Sequence, residues 1–252
     1  MQPSSSEDYR SSQSKGQNEF FGVQIKREFG LWQFLVIPVV STATVTVGAY
    51  LNAQLAYMLE DKRMFNMPLD EIGQLTSDLT VYSLPFSMAT TFFISYIFEI
   101  VGRKLTIFFS FLLTALMFLL LPYTAPDYHL LVAARCAIGV TMAAPIAHPL
   151  IPDYVKRSSR GAAIAVAGVG VVFGEVFSMG ILFNLTKSMN YFDAFMVAAL
   201  VVTAFAMFFL YAVRDPDLEV IRNASESRHS VLARRRNGQV GLMEDAEGVQ
   251  AQ

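Results

Sequence analysis

Residues 96–110 read YIFEIVGRKLTIFFS. Two apolar runs meet at Gly102, with Glu99 three residues before it and Arg103 and Lys104 directly after it. Glycine suits a tight chain reversal because it adopts backbone conformations that other residues avoid. The three charges need water. The stretch therefore reads as a short polar turn between two apolar segments. Any short basic turn accounts for Arg103 and Lys104, but not for the acid that precedes them.

Working outward, the same alternation fills most of the chain. Of 252 residues, 54% are hydrophobic and only 16% charged, and the mean hydropathy is +0.42. That places the protein on the apolar side of ordinary soluble domains. Six apolar stretches, at about 31–58, 79–99, 105–124, 129–150, 162–185 and 192–213, each approach the roughly 20 residues a helix needs to cross a bilayer. Pro38, Pro85, Pro145 and Pro149 fall inside spans, which lipid-embedded helices tolerate when neighbours satisfy the freed carbonyls. The fold expected is an all-α membrane protein of six transmembrane helices.

Basic residues are lopsided about these spans. One side carries Arg10, Lys15, Lys26, Arg27, Arg103, Lys104, Lys156, Arg157, Arg160 and the six arginines from Arg214 to Arg236; the other has only Lys62, Arg63 and Lys187. Positive flanks stay in the cytosol, so both termini are expected there. Residues 1–29 read as a polar tail followed by an interfacial or aromatic-belt segment, 30–214 as the bundle, and 215–252 as a disordered basic tail. A net charge of −2 gives no support for nucleic acid as a partner, and the single cysteine, Cys136, rules out an internal disulfide. No phosphate loop, HExxH, Cys/His cluster or nucleophile elbow occurs. Neither an enzyme nor a cofactor is expected.

Three charged fragments now share a pattern. SYIFEIVGRK (95–104) resembles the signature between the second and third spans of the major facilitator superfamily (MFS). Glu99 stands at its acidic position and Gly102, Arg103 and Lys104 at its Gly-Arg-Lys end, while Ser95 replaces the usual glycine and Ile100 a basic residue. RCAIGVTMAAP (135–145) resembles the family's fourth-span pattern through Arg135 and Gly139. PDYVKRSSRGAAIA (152–165) resembles the following turn through Asp153, Arg160 and Gly161. The resemblance covers residues 30–215. It implies a single MFS-type bundle, half of the usual twelve spans, in a transporter of small solutes. It also implies a gating role for Glu99, Arg103, Asp153 and Arg160, as a latch of acids and arginines across helix ends.

Within the spans, Arg135 and Glu175 are ionisable groups at similar depth, and such groups are costly in lipid unless paired or facing a cavity. A direct ion pair between them is feasible if their helix faces agree, with a substrate or proton as competitor; a purely structural pair is the alternative. Asn52 and Gln54 lead the polar face of the first span as substrate contacts, among hydroxyls that can instead bond their own helix. Gly161, Gly168, Gly170, Gly174 and Gly180 stud the fifth span, where small residues allow close helix approach; Gly168 and Gly174, with Gly139 in the fourth span, are assigned to packing. The fifth span lacks the family's antiporter Gly-Pro pair. His148 is either a titrating group or a satisfied structural one. Asn184 opens an NLT sequon too close to the membrane to expect modification.

A lone bundle would turn a polar face to lipid. A second six-helix bundle, in a homodimer or another chain, is therefore the expected partner, together with the bilayer and a solute. A non-transporting membrane scaffold and a truncated transporter product are the alternatives.

Overall fold

The computed structural model describes residues 19–20, 22–26, 29–147 and 150–215. His148, Pro149 and most of both tails lie outside the described residues. Residues 1–214 form one unit; of the second, 215–252, only Asp215 is described.

Six helices are long and apolar enough to cross a membrane. They are α1 (Leu31–Glu60), α2 (Leu69–Val101), α3 (Arg103–Leu120, prolonged by the 3-10 turn Leu121–Thr124), α4 (Tyr128–Ile146, followed by the short α5, Leu150–Tyr154), α6 (Arg160–Glu175) and α7 (Tyr191–Ala212). α6 continues through π-helical turns, Val176–Phe183, into Asn184–Thr186. α1 packs on α6, α3 on α7, and α4 on both α2 and α3. The core is aliphatic and aromatic: Phe111, Phe118, Phe195 and Phe209 are fully buried where α3 meets α7. Phe92 and Phe93 on α2 and Tyr211 on α7 are exposed, as helices in an apolar solvent allow.

Two segments hold structure that hydropathy does not show. The expected loop 60–78 is half helix, because α2 starts at Leu69 and stands clear of the apolar segment. Pro68 caps it, and Asp70 and Glu71 in its first turn complement the positive end of the helix dipole; hydropathy cannot register a helix that continues into water. The segment before the first span, expected at the interface, contains a short strand pairing. β1 (Glu19–Phe20) pairs antiparallel with β2 (Val23–Gln24), and Ile25 bridges to Val155. Lys26 N–H donates to Tyr154 O and Lys156 N–H to Gln24 O, both at 3.0 Å. Val23 and Ile25 are wholly buried against protein rather than lipid.

Candidate functional site

The basic turn of residues 96–110 has the conformation its glycine suggested. Gly102 ends α2 and begins α3 at φ 88° and ψ 159°, a region essentially closed to side-chain-bearing residues. The turn presents Arg103, whose Nε pairs with Asp153 Oδ2 of α5. The partners of the expected latch differ, however. Glu99 is exposed and makes no ion pair among the described residues, because α2 buries the side of Ile94 and Phe98 and turns the next position outward. Lys104 is half-buried. Arg160 reaches Pro152 O through Nη2 at 3.5 Å, and Lys26 Nζ donates to the same carbonyl at 3.1 Å. A Cβ on Gly161 would meet open space.

Arg135 has a different partner from the one considered in sequence. Its Nη2 donates to Asn52 Oδ1 of α1 at 3.3 Å, and its Nε is buried with no hydrogen-bond partner among the described residues. Glu175 is exposed and unpaired there: α6 packs on α1 while α4 packs on α2 and α3, so similar depth does not bring the two residues together. The Arg135 side chain lines a cavity of about 170 Å³ between α1, α2 and α4, with Thr44, Gly48, Ser83, Ser87 and Gly139. Gly139 earns its place by packing, since its Cβ would stand 3.3 Å from Ser83 O.

Asn52 and Gln54, neighbours in the sequence, part company. Asn52 is exposed on the Arg135 side. Gln54 is buried, its Nε2 donating to Tyr50 Oη and Thr186 Oγ1 at 3.2 Å each. Thr42 and Thr46 likewise face α6, donating to Gly170 O at 2.9 Å and Gly174 O at 3.3 Å. These interhelical bonds need backbones in close approach. A Cβ on Gly174 would lie 2.6 Å from Thr42 O, and one on Gly170 would collide with Pro38 O. Gly168, assigned to packing in sequence, is exposed with open space at its Cβ. Helical spacing explains the split, because 170 and 174 are four residues apart and 168 is off that face. The Asn184 amide donates to Met179 O and Gly180 O, both at 3.1 Å, and Thr186 is buried, so the sequon is engaged in helix structure.

Sequence reading did not find the Arg103–Asp153 pairing, the Ile25–Val155 strap or the Tyr50–Gln54–Thr186 network. Each joins segments 50 to more than 130 positions apart; the sequence placed Arg103 and Asp153 in one latch without saying which members of it pair.

Six helices long and apolar enough to cross a membrane, packed around one core and carrying a half-buried arginine beside a cavity, mark an integral, multi-pass membrane protein. The model for the Major Facilitator Superfamily matches residues 29–243, and the chain belongs to that family. No curated protein matches the chain in sequence.

Proposed function

We propose that this bundle moves a small solute by alternating access, with the solute contacting Arg135 and Asn52 on the α1–α2–α4 face. The observation that carries the reading is the Arg135 guanidinium: one N–H bonded to Asn52, another buried without a partner, beside a cavity. An unsatisfied buried donor costs on the order of 1–3 kcal/mol, so an acceptor group on a solute would bind there with advantage. A second six-helix bundle, within the same polypeptide or from another copy, would complete the pathway by covering polar positions such as the exposed Asn52 and Thr91 and the half-buried Ser87 and Thr90. The basic ends of the helices, with both termini, face the cytosol. The Arg103–Asp153 pair is the part of the gating motif that holds the cytosolic turns together. Glu175, exposed on α6, is a coupling candidate independent of Arg135.

The test is uptake of a broad metabolite panel by vesicles carrying the protein or its Arg135→Ala variant at matched membrane content. At least tenfold slower uptake of one solute class in the variant is expected. Equal uptake removes Arg135 from the pathway, and no uptake by either protein favours a non-transporting scaffold.

A further inference from the structure

A larger cavity, of about 670 Å³, opens at the opposite end of the bundle from the basic turns, between the ends of α1, α6 and α7. This is within the size range of small-molecule sites. Gln54, 3% exposed, forms its inner wall. Thr186 Oγ1 donates to Leu182 O at 2.9 Å and Tyr50 Oη to Ala194 O at 3.1 Å. Both hydroxyl protons are thus used, and the Gln54 amide meets both oxygens with its Nε2. Its carbonyl oxygen, Oε1, has no donor among the described residues. With no protein donor on it, this oxygen is open to an N–H or O–H from whatever fills the cavity.

The rim carries two acids, Asp61 and Asp193, and two bases, Arg63 and Lys187. Lys187 Nζ is committed to Asn184 Oδ1 at 3.0 Å, whereas the exposed Arg63 guanidinium makes no hydrogen bond or ion pair among the described residues. Tyr57, ring to ring with Phe183 at 5.4 Å, adds an aromatic wall. A rim of both signs disfavours a simple anion or a simple cation, each of which would meet like charge.

We propose that this cavity binds a small zwitterionic solute. Its ammonium N–H groups would reach Gln54 Oε1 and Asp193, its carboxylate Arg63, and an apolar side group would lie along Tyr57. A free amino acid with an aromatic side chain has this chemistry. The site is separate from the transport face, since Gln54 and Asn52 lie on different sides of α1, so it stands or falls apart from the Arg135 reading.

Calorimetric titration of the detergent-purified full chain with L-phenylalanine tests it. The N,N,N-trimethyl derivative, which keeps both charges but has no N–H, serves as the control. L-Phenylalanine is expected to bind, the trimethyl derivative to bind about tenfold more weakly, and Arg63→Gln or Asp193→Asn, both on the exposed rim, each to weaken L-phenylalanine about tenfold. Absence of binding up to the solubility limit, equal binding of the two probes, or indifference to both rim variants overturns the proposal. A parallel arm compares nanodiscs of phosphatidylethanolamine and phosphatidylcholine. Stabilisation by the former alone, with no response to L-phenylalanine, reassigns the cavity to a lipid headgroup and likewise overturns it.

Discussion

Arg103 Nε and Asp153 Oδ2 form an ion pair that ties the turn between α2 and α3 to the segment following α4. The side chains are 26% and 12% exposed, so water screens the pair only in part. Removing one member leaves a partly buried charge. Asp153→Asn should therefore lower stability by about 1 kcal/mol or more, and a double-mutant cycle with Arg103→Gln should show coupling of about 1 kcal/mol. Thermal unfolding in detergent measures both. Additive losses would mean that the pair contributes nothing beyond its separate residues.

Gly170 and Gly168 offer a matched comparison on one helix. Gly170→Ala pushes a methyl into Pro38 O, whereas Gly168→Ala adds one to open space. The first should destabilise by about 2 kcal/mol or more and loosen α1 from α6. The second should be neutral or stabilising by up to about 1 kcal/mol, because alanine is the better helix former. Apparent melting temperatures of the two variants give the answer directly.

Arg135 and Glu175 make no pair. The stability effects of Arg135→Gln and Glu175→Gln should accordingly add within about 0.5 kcal/mol. Arg135→Gln and Asn52→Ala, which touch one hydrogen bond, should not add. Unfolding of the three single and two double variants distinguishes these outcomes.

Ile25 is wholly buried where the amino-terminal strap meets Val155. Ile25→Ala should cost about 2–4 kcal/mol if the cavity left behind does not collapse. Hydrogen exchange should quicken at the Lys156 and Lys26 amides, whose hydrogen bonds flank that contact. Unchanged exchange at both amides would separate the strap from this side chain.

Trp32 is the only tryptophan and is 71% exposed at the start of α1. In a bilayer its indole should lie at the interface on the side of the basic turns. Its fluorescence should be quenched by lipids brominated near the headgroup more strongly than by lipids brominated at the chain ends.

The sequence by itself determined how many times the chain crosses lipid, in what order, and which ends of the helices gather positive charge. Those properties depend on position along one axis: hydropathy sets depth, and the turn at Gly102 is local. It also marked Arg135 as exceptional, because a cation in an apolar segment stands out without any neighbour being known. Tertiary structure alone decided which side of each helix faces what. That is why, of two residues two positions apart, Asn52 meets Arg135 and Gln54 lines the cavity beside Thr186, why Gly170 rather than Gly168 carries the α1–α6 contact, and why Asp153 rather than Glu99 is paired with Arg103. The physical reason is that lipid solvates every side of an apolar helix about equally, so the apolar pattern holds little record of rotation about the helix axis. That rotation is fixed only when close-packed backbones and hydrogen bonds between distant segments select one arrangement.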